Sequence, residues 1–239
     1  GDTVVLVAAT AEKGSGVDSD FFPLSVFYVE KSYAAGRIPG GFLKREARLS
    51  DNETLISRII DRPLRPAFDE NYLAETLITA TVLSHDLTHP SDVAAMNGAS
   101  AALLISDIPF NNPLGGIRVG RLDGNFVTNP DPSQLEQSDL NIFMAASKDA
   151  ILMVEGEANG ISESEMLDAL WYGQEAVLPI IEMQEELMKS VGKKKRKVEI
   201  PKVDPELKNK VEKITPKRIS EALSIKDKIE RYEKLDLLY

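Results

Sequence analysis

Lys44, Arg45 and Arg48 place three cations within five residues, after a Gly40-Gly41 pair that frees the backbone to turn and a Phe42-Leu43 pair. Ser50 and Glu53 then form a Ser-x-x-Glu capping box, which predicts a helix starting near Asp51. On that helix Leu55, Ile56, Ile59 and Ile60 share one face, and Arg58, Arg62 and Arg65 follow at i, i+4 and i+7 on the neighbouring face. In a chain of formal net charge -10, a cationic loop feeding an arginine-edged helix is a candidate polyanion contact. The competing reading pairs the arginines with local carboxylates such as Glu53, Asp61 and Asp69.

Other chemistry is sparse. Asp131, Asp139, Glu155 and Glu157 could pair as acid and base, but a chain with 28% charged residues offers many such pairs. With no cysteine, disulfides and thiolate chemistry are excluded, which fits a reducing, cytoplasmic location. The two histidines, His85 and His89, are too few for a histidine-rich zinc site and read as loop residues before Pro90. Lys193–Lys197 is a run of five cations matching the core of a basic nuclear import signal, although such a run between helices is more simply a solvated linker. Trp171 and Tyr172 are expected to fill core. There is no glycine-rich phosphate loop of the dinucleotide or P-loop kind.

The elements that must position these residues belong to an ordinary globular chain of 239 residues, 43% hydrophobic. No run reaches the roughly 18 apolar residues of a membrane span, and no signal segment is recognisable. Residues 162–239 carry 16 Lys+Arg against 16 Asp+Glu, so the whole net charge lies in residues 1–161 and any nucleic-acid contact must be local. Gly1-Asp2 is a turn pair of the kind that joins hairpin strands, so an earlier partner strand is expected. Thr3–Ala9, Leu24–Glu30 (buried on both faces) and Thr76–Leu83 read as strands. Pro90–Ser106 reads as a helix capped by Ser91 or Asp92, with an alanine face suited to close packing. Gly116–Leu122, Asn125–Thr128, Asn141–Ser147 and Ala150–Glu155 read as four antiparallel strands with turns at Asp123-Gly124 and Lys148-Asp149. Ser162 and Glu165 cap a helix running to Val191, with a kink or break at Pro179. Pro205–Ile214, Pro216–Leu223 and Ile225–Leu237 follow as short helices. The fold class is α+β, with mixed sheets and helices in residues 1–160 and an all-α domain in residues 161–239.

The stretch Tyr33-Ala34-Ala35-Gly36-Arg37-Ile38-Pro39-Gly40-Gly41-Phe42-Leu43-Lys44-Arg45-Glu46, followed by Ser57-Arg58-Ile59-Ile60-Asp61-Arg62-Pro63-Leu64-Arg65-Pro66, resembles the first ribonuclease-PH-type core of the polynucleotide phosphorylase family. Gly1–Val7, Gly98–Leu103, Ile108–Phe110 and Ile151–Ala158 fit the same pattern. The resemblance implies a ribonuclease-PH-like core lacking its first strand and then the family's all-helical linker domain. It also implies a nucleotidyltransferase that degrades RNA from the 3′ end by phosphate attack and releases nucleoside diphosphates. Phosphate would be co-substrate and Mg2+ the metal, in a homotrimer whose six cores ring a channel. The implied partners are single-stranded RNA and an RNA-degradation complex, with neither membrane nor DNA.

The same resemblance places catalysis in a second core beyond Tyr239, so this chain alone is expected to be inactive, with no catalytic and no metal-binding residue of its own. A catalytic core of this kind holds phosphate on serines at a helix N-terminus and metal on paired aspartates. Here those positions fall at Pro90-Ser91-Asp92 and at Ser133 and Asp139. What the resemblance retains is the family's Phe-Phe-Arg-Arg channel loop, matched by Phe42-Leu43-Lys44-Arg45. Phe42 would stack on a base while Lys44, Arg45 and Arg48 bind phosphates, with Arg58, Arg62 and Arg65 structural. Leu43 cannot stack, and Lys44 offers a point charge where the family has a bidentate fork, both of which weaken the grip. The alternative from another class is a non-enzymatic RNA-binding or scaffold domain.

Overall fold

A computed structural model of the chain describes residues 1–13, 21–40, 45–46, 48–198 and 205–237. The chain packs as two units, Gly1–Glu199 and Ile200–Tyr239.

The first unit is built on two sheets. In the first, β1 (Val4–Ala11), β3 (Thr76–Ser84) and β2 (Leu24–Glu30) lie in the order β1-β3-β2, with β1 antiparallel and β2 parallel to β3. A parallel neighbour needs a crossover connection, and helix α1 (Asp51–Leu64) supplies it. The capping box forms as expected: Ser50 Oγ accepts from Glu53 N, and Glu53 Oε2 accepts from Ser50 N. Ile56, Ile60 and Leu64 face the core, but Leu55 falls off that stripe and is 60% exposed.

Strand β2 departs from the expectation of burial on both faces. It is an edge strand whose Leu24 and Tyr28 point inward while Phe27 is 45% exposed, because among the described residues helices cover one side of the sheet. The open edge is protected by α1. Tyr28 N donates to Ser57 Oγ at 2.9 Å and Glu30 N to Glu53 Oε1 at 2.8 Å, so two ladder donors are satisfied by side chains.

Helix α2 (Ser91–Ile105) lies at the centre of this unit, against β1, β3 and the second sheet. Its small residues permit that approach: a Cβ on Gly98 would stand 2.7 Å from Val7 Cγ2. The second sheet is wholly antiparallel, in the order β5-β4-β6-β7, from β4 (Gly115–Leu122), β5 (Asn125–Thr128), β6 (Leu140–Ala146) and β7 (Ile151–Ala158). Asp123 (φ +49°) and Gly124 (φ +77°) both take positive φ in the expected tight turn. A short helix, α3 (Pro132–Gln137), joins β5 to β6.

Helix α4 (Glu163–Val191) runs unbroken through Pro179. Ala169, Val177 and Ile181 pack on Ile117, Val119, Ile142 and Met144 of the second sheet. Packing therefore divides the chain at 199/200, later than the expected 160/161, because the first long helix after residue 160 covers a sheet of the core.

In the second unit, α5 (Pro205–Leu223) is one helix where two were expected, with Pro216 inside it, and α6 (Lys228–Asp236) follows. Among its described residues Ala222 is the buried apolar side chain, while Leu207, Val211 and Ile214 are exposed.

Candidate nucleic-acid interface

Of the four residues expected to contact RNA, Phe42 and Lys44 lie outside the described residues. Arg45 and Arg48 are exposed and have no carboxylate partner among the described residues. The acid between them turns away: Glu46 Oε1 accepts from Ser32 N at 2.6 Å, and Oε2 lies 3.8 Å from Lys31 Nζ. Its hydrogen bonds to Ser32, with Lys31 nearby, hold the Glu46 carboxyl below its ordinary pKa. Arg45 and Arg48 thus face solvent, with the acid between them engaged elsewhere.

The three arginines of the α1 segment have different fates. Arg62 pairs with Glu155 of β7. Arg65 pairs with Asp61 at 2.8 Å, donates to Phe22 O at 2.7 Å and Leu24 O at 3.1 Å, and lies over the Phe22 ring. Both are thus engaged by partners within the fold. The expected partners Glu53 and Asp69 do not serve, since Glu53 caps α1 and Asp69 accepts from Asn71 N. Arg58 is exposed, without an ion pair among the described residues.

Of the positions matched to a catalytic core's phosphate and metal groups, the two carboxylates, Asp92 and Asp139, are each paired with an arginine. The N-cap of α2 is Pro90, not Ser91 or Asp92, which lie buried in the first turn. Ser91 Oγ and Tyr28 Oη are 2.6 Å apart, and Tyr28 Oη donates to Glu30 Oε1 at 2.9 Å; burial raises the Tyr28 pKa, keeping the phenol protonated. Asp92 pairs with Arg118 of β4, whose Nη1 donates to Asn141 Oδ1 at 2.6 Å.

The second position is occupied similarly. Arg121 donates to Asp139 through Nε at 2.9 Å and Nη2 at 2.6 Å, and through Nη1 to Glu165 at 2.6 Å. The Arg121 bonds hold the Asp139 carboxyl below its ordinary range. Ser133 is exposed on α3, donating to Asp131 at 2.6 Å. Asp131, Asp139 and Glu155 therefore belong to separate local pairs. Among the described residues no group of three or more His, Asp or Glu side chains is placed to hold a metal ion.

Residues 1–109 match the model of the 3′ exoribonuclease family, domain 1, and residues 112–176 match that family's domain 2. The chain belongs to the 3′ exoribonuclease family. The two matches fall on the two sheets, and the second reaches into α4. The chain is 52% identical over 238 residues to the polyribonucleotide nucleotidyltransferase of Geotalea uraniireducens, covering 100% of this chain and 34% of that protein. The same-named protein of Geobacter sulfurreducens is 54% identical over 235 residues, covering 98% and 34%. The chain thus spans about a third of the length of these relatives. Among solved structures, rice Rrp46 superposes with a TM-score of 0.62 at 16% identity, covering 79% of this chain and 85% of that one, which is a likeness of fold.

Within this 3′ exoribonuclease fold, Lys193, Lys194 and Lys197 of the run are exposed as a solvated linker would be, but Lys195 and Arg196 are anchored. Lys195 Nζ donates to Leu103 O and Leu104 O at 2.8 Å and to Ser106 O at 2.9 Å, satisfying carbonyls at the C-terminal end of α2. Burial lowers its pKa to about 8, so at neutral pH it remains a cation facing the helix's negative end. Arg196 binds Asp107 at 2.8 and 3.0 Å and donates to Glu12 O at 2.7 Å. Nothing in the spacing of five cations distinguishes these two; only the carbonyls beneath them do. The histidines are loop residues as expected: Asp86 accepts from His89 N at 2.8 Å and lies 2.7 Å from its Nδ1, and His85 Nδ1 accepts from Leu87 N. Trp171, expected in the core, is 66% exposed, whereas Tyr172 packs against Phe126.

Proposed function

We propose that this chain is the RNA-contacting, ring-building part of a phosphorolytic 3′-to-5′ exoribonuclease whose active site lies in a second core. The full protein would use phosphate to release nucleoside diphosphates from single-stranded RNA, with Mg2+ in that second core, as a cytoplasmic homotrimer able to join an RNA-degradation complex. Among the described residues no helix is long and apolar enough to cross a membrane.

The observation that carries this reading is the contrast between two sets of arginines. Arg118 and Arg121 are held inside the fold by Asp92 and Asp139, while Arg45 and Arg48 are exposed and have no carboxylate partner among the described residues. A phosphate brought to Ser91 would meet the Asp92 carboxylate, and a cation brought to Asp139 would have to displace Arg121. Neither position fits the group a catalytic core holds there. Phe42, Lys44, Arg45 and Arg48 remain as the channel contacts, with bases stacking and phosphates paired without sequence readout.

The test is binding of fluorescently labelled oligoadenylate to the chain across a salt series. Replacing Arg45 and Arg48 together by alanine is expected to weaken binding and to flatten the dependence of log K on log salt by about 0.7 for each phosphate no longer neutralised. Unchanged affinity and slope would remove the loop from the RNA path.

A further inference from the structure

A groove of about 380 Å³ runs between β2 and α1, with Leu49, Arg58 and Phe27 among its walls. Leu49, in the groove wall, follows Arg48 directly in the chain. Asp61 and Arg62 also line it, but their charges are already matched by Arg65 and Glu155. Its unmatched charge is Arg58, exposed and without an ion pair among the described residues. Phe27 is an exposed aromatic on an edge strand, where an apolar ring gains little from the fold itself.

A peptide adding as a further strand is disfavoured here. It would need the outward N–H groups of β2, and those of Tyr28 and Glu30 are held by Ser57 and Glu53. A free guanidinium and an exposed ring beside a cationic loop are instead the groups that hold a single strand of nucleic acid.

We propose that single-stranded RNA held at the Arg45–Arg48 loop continues into this groove, where Arg58 binds a phosphate and Phe27 carries a stacked base. The inference rests on the reading of the loop as an RNA contact, and the experiment separates the two. Labelled oligoadenylate is titrated into the unmodified chain, the loop double variant, R58Q, R58K and F27L, each confirmed as folded by circular dichroism. F27L keeps an apolar side chain at the site but cannot stack.

R58Q is expected to weaken binding several-fold and lower the salt slope by about 0.7, with R58K restoring most of the slope. F27L is expected to weaken binding about tenfold with the slope unchanged. A weakened loop variant with unchanged R58Q and F27L overturns the groove and leaves the loop reading intact; an unchanged F27L alone removes the stacked base. No binding by the unmodified chain overturns both readings.

Discussion

Arg118 and Arg121 lie three residues apart on β4 and hold Asp92 and Asp139 from opposite faces of the same sheet. Strand alternation imposes this separation: Arg118 stands over Phe143 beside α2, while Arg121 shares the face of Ile117 and Val119 and reaches Glu165 at the start of α4. The two carboxylates therefore cannot converge on one ligand, and each has its own cation.

Asp92→Ser should reverse the first of these closures. Removing one member of a largely buried pair is expected to lower stability by about 2–4 kcal/mol, measured by urea unfolding. It also leaves Arg118 unpaired beside the first turn of α2. Phosphate should then raise the melting temperature of the variant, relative to chloride at equal ionic strength, more than it raises that of the unmodified chain. An equal response in both would show that the pair is not what excludes the anion.

Lys195→Met keeps the aliphatic stem and removes three charge-assisted hydrogen bonds to the end of α2. A loss of about 2 kcal/mol is expected. The same substitution at Lys194, which is exposed, should change stability by less than about 0.5 kcal/mol. Equal effects at the two positions would return the segment to a solvated linker.

These cases mark what could be read from residues alone. The capping boxes at Ser50 and Ser162 and the Asp123-Gly124 turn are local chemistry, so spacing suffices for them. The resemblance motifs carried the family because they span both sheets. Partner choice was not legible. Arg58, Arg62 and Arg65 have the same period, yet Glu155, 93 residues away, distinguishes Arg62 from Arg58. Lys195 and Lys194 are neighbours, and only the end of α2 separates their roles. Trp171 was assigned to the core by residue type, but the buried stripe of α4 runs through Ala169, Gly173 and Val177 and leaves it outside.

Trp171 is the single tryptophan, so it reports on itself. Native emission is expected to be red-shifted and readily quenched by iodide, changing little on unfolding. Blue-shifted, protected emission would place α4 in another rotation about its axis.

Acid stability should depend on Glu165. Its bonds with Ser162, then with Arg121, lower its pKa from 4.5 to about 2. A depressed carboxylate contributes its stability above the unfolded pKa and loses it as pH falls through the folded one. Between pH 4.5 and about 2 the unmodified chain should therefore lose stability more steeply than E165Q, which can still cap α4 but carries no charge to lose. Parallel pH profiles for the two proteins would contradict this.

The central claim is that this core contacts RNA but performs no phosphorolysis. The most direct measurement incubates the folded chain, at a concentration where it binds oligoadenylate, with poly(A), phosphate and Mg2+, and follows ADP release. The account predicts RNA bound and no ADP above the protein-free background. ADP formed in proportion to the amount of chain would contradict it.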